Sequence, residues 1–202
     1  MPYPTRPADT DRTALRAAPY EVRAARAADQ SAVAHLIDDR IVDLRTRTPV
    51  ELDVDRATVL ANLGNHEHGR PLVWLLCDDS VIVGCAVVLP TTPEWGWSES
   101  QRAEPALFIP ALFTHPKSGV RTGRLLAWAL LDYAWHLPTQ GDHVLWVRGV
   151  TFSEKVMCYA RDKAGWDVAD TVLRHGRHAH LLQCPAQQRP NLSALVNTPR
   201  II

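Results

Sequence analysis

No sign of charge dominates this chain, because 22 lysines and arginines balance 22 aspartates and glutamates over 202 residues. That balance argues against a scaffold gripping nucleic acid through bulk charge, so nucleic acid is not an expected partner. No apolar run reaches the length a bilayer demands, and the opening MPYPTRPADTDRTALRAAPY lacks the apolar core of a secretory leader. Neither a membrane nor export is expected, and the chain reads as cytoplasmic. Cysteine is sparse: Cys77, Cys85, Cys158 and Cys184 form no CxxC pair, and three of them lie in apolar stretches. They read as buried free thiols, outside disulfide or metal use. GxSxG, HExxH and Walker sequences are absent. His66-Glu67-His68 and the group His175, His178 and His180 offer no fixed set with third and fourth ligands, so no metal is expected.

What is present suits one well-buried domain, since 46% of the residues are hydrophobic. Residues 1–19 are rich in Pro, Thr, Asp and Arg without a period, which predicts a mobile N-terminal tail; the domain spans 20–184, and 185–202 reads as an irregular C-terminal tail. Tyr20 to Ala24 reads as a strand. Asp29 can cap a helix carrying Val33, Leu36, Ile37, Ile41 and Leu44 at helical spacing, and a second helix is expected from Val54 to Asn65. Leu72–Cys77 and Val81–Leu89 flank Asp78-Asp79-Ser80 as a hairpin. An irregular stretch, 90–105, carries Trp95-Gly96-Trp97. Strands follow at Ala106–Phe113 and Val144–Arg148, helices at 122–136 and 153–163, and two last strands surround His175-Gly176. The fold class is α+β: a mostly antiparallel sheet of six or seven strands around one parallel pair, with about four helices.

The run Ala106 to Trp135 carries the strongest chemical signal. An apolar strand meets the loop Thr114 to Gly123, which opens into an apolar helix. A helix start presents unpaired N–H groups and the positive end of the helix dipole, an arrangement suited to phosphate or pyrophosphate. Trp128, Leu131 and Trp135 repeat at helical spacing within that helix; core packing accounts for them, as does an interface between two copies, so a homodimer is compatible with the pattern.

The order β-α-α-β-β-β-α-β-α-β-β, with Val22-Arg23-Ala24-Ala25-Arg26-Ala27-Ala28-Asp29 at its head, resembles the Gcn5-related N-acetyltransferase (GNAT) superfamily over roughly residues 20–184. The family's most specific motif is an Arg/Gln-x-x-Gly-x-Gly/Ala turn, and the matching hexapeptide here is Ser118-Gly119-Val120-Arg121-Thr122-Gly123. Only Gly123 agrees; Arg121 occupies a glycine position. Thr151-Phe152-Ser153-Glu154 through Tyr159 to Gly165-Trp166 is similar to the family's fourth helix and the turn after it, with Thr151 and Glu154 fitting a capping box. The resemblance implies acetyl-CoA, or another acyl-CoA, held by Ser118, Gly119, Val120, Arg121, Thr122, Gly123 and Arg124, with the thioester carbonyl polarised from Leu112, Phe113 or Thr114. It also implies a tyrosine that protonates the departing thiolate. Arg161 stands in that tyrosine's usual register and Tyr159 two residues earlier; Tyr159 is the candidate, because a guanidinium practically cannot release a proton.

The attacking amine must lose a proton, and no acid lies within Ala106–Phe113. Glu104 is the nearest carboxylate and the candidate base, with Glu94 and Glu99 as alternatives. Trp95 and Trp97 suit either an acceptor pocket or a packed lid. The expected activity is direct acyl transfer, most simply acetyl, to a small-molecule or protein amine in a ternary complex. A GNAT-fold acyl-CoA sensor or protein-interaction module with lost turnover is the alternative.

Overall fold

A computed structural model describes residues 18–47, 56–119, 121–137 and 143–198. The expected N-terminal tail through residue 17, Val120, the predicted helix start at Val54 and residues 199–202 lie outside the described residues.

Eight strands form the main sheet in the order β10-β1-β4-β5-β6-β7-β9-β8. They are β1 (Tyr20–Ala24), β4 (Val73–Asp78), β5 (Val81–Leu89), β6 (Ala106–Thr114), β7 (Trp146–Thr151), β8 (Asp167–Arg174), β9 (Arg177–Pro185) and β10 (Val196–Asn197). A separate two-residue ladder joins β2 (His66–Glu67) to β3 (Arg70–Pro71). The predicted parallel pair is β6 with β7, and a second parallel contact joins β1 to β10 inside the segment expected to be irregular.

Both sheet faces are covered. α4 (Thr122–His136) buries Leu125, Leu126, Ala129 and Leu130 on a core that includes Trp74, Leu76, Ala86, Val88, Leu107, Ile109 and Val147. That apolar stripe recurs at helical spacing, and the helix stops at Leu137, whose own successor, Pro138, disfavours continuation. On the opposite face α1 (Gln30–Arg47) sets Val33, Leu36 and Ile37, with Val59 of α2 (Arg56–Ala61), against Val73, Leu75, Cys85, Val87 and Phe113. Each such side chain contributes roughly 1.5–3 kcal/mol when fully buried. Asp29 does not cap α1 as expected. It closes the short turn before it, taking the Arg26 N–H at 2.8 Å and a two-pronged bond from Arg23, which holds its carboxyl below the ordinary range.

Segment 90–105 lies over β8 and β9 and contains α3 (Glu99–Ala103), started by Ser98, whose Oγ accepts from the Gln101 N–H. At its apex Gly96 has φ +78°, and a Cβ there would come within 3.0 Å of Leu181 Cδ1. Both the left-handed backbone and the contact exclude a side chain. Gly96→Ala should therefore lose about 1–3 kcal/mol in denaturant unfolding; an unchanged midpoint would mean this segment is not seated on β9.

Candidate functional site

The site begins where β6 and β7 part. Their ladder runs from Ala106↔Trp146 to Ile109↔Gly149 and extends no further, while β6 stays paired to β5 as far as Thr114. Between Phe108 and Ala111, β6 advances three residues against two on β5, which is a bulge containing Pro110. Proline has no N–H to give a ladder, so a bulge is one of the few places it fits inside a sheet. An extra residue also inverts the direction of everything that follows. Below the bulge the Pro105 carbonyl accepts from Trp146 on the β7 side, so 107 and 109 point that way; above it the His115 N–H donates to Val83 O of β5 at 2.9 Å, so 113 and 111 point away from β7. By alternation the backbone groups of Leu112 and Thr114 face the opening, whereas those of Phe113 face β5.

Past Thr114 the chain turns tightly into α4. Ser118 Oγ donates to His115 O at 2.7 Å, Thr122 Oγ1 donates to Gly119 O at 3.1 Å, and Gly119 supplies φ +65°. The N-cap residue is Arg121, and among the described residues no side chain caps the first turn of α4. A Cβ at Gly123 would meet Thr114 Cγ2 at 3.6 Å and Leu112 Cδ2 at 3.9 Å, ordinary contacts, so packing of this turn on the end of β6 does not by itself demand glycine. Arg121 is exposed, and Arg124 lies over the Trp128 ring at 4.8 Å. Ser118, Gly119, Arg121, Thr122, Gly123 and Arg124 are thus gathered at one helix start, directly beyond the strand that carries Leu112 and Thr114.

The second helix at this open end is α5 (Glu154–Tyr159), which leaves from the carboxyl end of β7. Ser153, rather than Thr151, is its N-cap: its Oγ accepts from the Val156 N–H at 3.4 Å, while Thr151 Oγ1 accepts from Ser153 N–H. α5 passes into a wide turn, Ala160–Ala164, that ends at Gly165 with φ +76°. Tyr159 sits at the junction, 36% exposed. Arg161 is exposed on the turn and paired with Asp162 at 2.7 Å, an engagement that keeps the Asp162 carboxyl low.

Glu104 has a partner the sequence did not announce. It bonds Arg148 of β7, a fully buried side chain that also donates to Gln101 O and, at 3.1 Å, to Thr92 Oγ1, and lies 4.9 Å from the Trp97 ring. The available signal was a lone arginine inside the apolar strand Leu145 to Val150. Trp97 is 4% exposed and packed, and Trp95, half-buried, lies beneath Arg174 at 3.8 Å. Glu94 and Glu99 are exposed. A residue that sequence reasoning passed over, Arg40 of α1, donates to Thr114 Oγ1 at 3.0 Å while pairing with Asp43.

The remaining chemistry is quiet. The four cysteines are free, and burial pushes the Cys85 thiol up to about 12. Among the described residues no group of three metal-binding side chains exists, and no helix is long and apolar enough to cross a membrane.

No protein-family model matches the chain, and no curated protein matches it by sequence. Solved structures do resemble it. A GNAT-family acetyltransferase from Listeria monocytogenes superposes with a TM-score of 0.62 at 15% identity, covering 82% of this chain and 94% of that one. A GNAT-family acetyltransferase from Bacillus cereus gives 0.57 at 14% identity, covering 84% and 99%. The putative acetyltransferase yncA from Salmonella typhimurium, solved with its cofactor acetyl-CoA, gives 0.54 at 18% identity, covering 85% and 96%. At these identities the likeness is one of fold, and the chain has the GNAT fold.

Proposed function

We propose that this chain, built on the GNAT fold, is an acyl-CoA-dependent N-acyltransferase that moves an acetyl group from acetyl-CoA to an amine by direct attack in a ternary complex. The observation that carries this reading is the parting of β6 from β7 after Ile109, with the uncapped start of α4 immediately beyond it. One opening then serves a thioester and one helix end serves a pyrophosphate. The donor supplies an activated acyl group; the rest falls to the protein.

The first-turn amides of α4, with Gly119 and the Ser118 and Thr122 hydroxyls shaping the loop, hold the phosphates. Arg121 and Arg124 add cationic contacts. The N–H groups of Leu112 and Thr114 stabilise negative charge on the carbonyl oxygen as the amine nitrogen bonds to its carbon. As the carbon–sulfur bond breaks, Tyr159 gives its hydroxyl proton to the thiolate. The wide turn Ala160–Ala164 between Tyr159 and Gly165 supports this choice, because a turn of this kind carries one extra residue and so takes up part of the two-residue offset of Tyr159 from the usual register. The amine proton leaves to water, and Glu104 acts as the anchor of Arg148 and not as the base.

A ligand that binds only the folded state stabilises it by mass action, about 2.7 kcal/mol at a hundredfold excess over Kd, or roughly 5–10 °C in Tm for a domain of this size. Acetyl-CoA should produce such a shift. No shift at millimolar acetyl-CoA would remove the reading. Gly123→Val should lower acetyl-CoA affinity by ten-fold or more, roughly the loss of one or two charge-assisted amide bonds, while calorimetric unfolding without ligand changes far less. Equal losses would make Gly123 a packing residue only. Arg121→Gly separates contact from obstruction: weaker binding means that the guanidinium touches phosphate.

The imperfect turn, in which only Gly123 keeps the family pattern, favours one second reading, an acyl-CoA sensor. It predicts the thermal shift without release of free CoA in the presence of any amine.

A further inference from the structure

Two arginines face each other at the tip of the last hairpin. Arg174 of β8 and Arg177 of β9 are direct partners in register across the turn His175-Gly176, whose φ values of 50° and 74° mark the tight two-residue form. Like charges directly opposite one another destabilise a ladder, so this pair breaks a local rule.

Each guanidinium is also pinned. Arg174 lies 3.8 Å from the centre of the Trp95 ring and Arg177 lies 5.0 Å from that of Phe152. Stacking on a ring face fixes a guanidinium while leaving its in-plane N–H donors directed outward. Their location is specific. Phe152 directly follows Thr151, the last residue of β7, and so stands at the carboxyl end where β7 has parted from β6. Val172 and Leu181, which meet Gly96, alternate with Arg174 and Arg177 along their strands, so both arginines lie on the face covered by segment 95–97. Across the opening stands a third guanidinium, Arg40, bonded to Thr114 and paired with Asp43. Among the described residues Arg174 makes no ion pair, and Glu94, which precedes Trp95 in the chain, is exposed.

We infer that the acceptor is a small amine bearing an anionic group, a carboxylate or phosphate, which Arg174 and Arg177 bind while the amine enters the opening between β6 and β7. This deepens the acyltransferase reading and rests on it. Trp95 then has a purpose besides packing: it is the platform that holds Arg174 in place.

The test is release of free CoA from acetyl-CoA with a defined panel: L-glutamate, L-aspartate and O-phosphoserine against alaninamide and spermidine. The inference expects the anionic amines to lead by roughly ten-fold or more, with a preference that shrinks as salt rises. Arg174→Ala and Arg177→Ala should each raise KM for the best anionic acceptor about ten-fold with a smaller change in kcat, Arg→Lys should recover part of that loss, and neither alanine variant should lower Tm. A lead by spermidine or alaninamide, or unchanged KM in both variants, overturns the inference and leaves the acyltransferase standing. Release with no member of the panel counts against the acyltransferase itself; a thermal shift by O-phosphoserine that is lost in Arg177→Ala then still supports an anion site, and its absence ends that too.

Discussion

Tyr159→Phe should cut turnover by roughly 10²- to 10⁴-fold while leaving acetyl-CoA affinity nearly unchanged, the range for losing a positioned general acid. The substitution removes one hydroxyl and keeps the ring at the junction of α5 and its wide turn, so folding should be preserved. Arg161→Ala is the control. Its guanidinium is exposed and already held by Asp162, and its removal should change turnover less than two-fold, within the scatter expected of an exposed ion pair. Steady-state rates on one acceptor, with donor affinity measured separately, distinguish the two. Unchanged turnover in Tyr159→Phe would assign thiolate protonation elsewhere.

The second large effect is on stability. Glu104→Ala strips the counter-ion from Arg148, which is fully buried and keeps only Gln101 O, Thr92 Oγ1 and the face of Trp97. Breaking a buried pair from one side costs on the order of 3–5 kcal/mol; the partly exposed Glu104 softens that, and we expect about 3 kcal/mol. For a domain of this size the Tm falls by roughly 6–12 °C. Glu104→Gln keeps an acceptor for the guanidinium and should lose less. It also separates two roles: an anchoring Glu104 leaves turnover of the folded Gln variant largely intact, whereas a base would lose it.

Elements with a strong period or strong punctuation were legible in the chain. α4 carries its apolar stripe and stops before Pro138, and the β4–β5 and β8–β9 hairpins announce themselves through Asp78-Asp79-Ser80 and His175-Gly176. Elements of two residues, such as β2, β3 and β10, carry no period at all; they exist because tertiary neighbours pair with them. Asp29 has the composition of a cap, yet Arg23 six residues earlier claims it, a contact set by where β1 ends.

The site was legible in part for the same reasons. The strand, loop and helix start from Ala106 onward are contiguous, so their juxtaposition could be read directly. The direction of the Leu112 and Thr114 amides could not, because it depends on one extra residue at the Pro110 bulge opposite β5. Arg148 joins Glu104 across 44 positions and lies in a strand that reads as wholly apolar around it, so its role depended on seeing segment 90–105 folded over β7. Arg174 and Arg177 stand out only once their register is known.

The central claim is transfer, and the most direct measurement follows the acyl group itself. The protein is incubated with acetyl-CoA carrying an isotopic label in the acetyl group, in the presence of the amine panel, and the label and the free thiol are both quantified. The account predicts labelled N-acetyl amine and free CoA in equal amounts, both lost together in Tyr159→Phe. Acetyl-CoA that binds and is recovered intact with every amine, or thiol released without labelled amide, would contradict it.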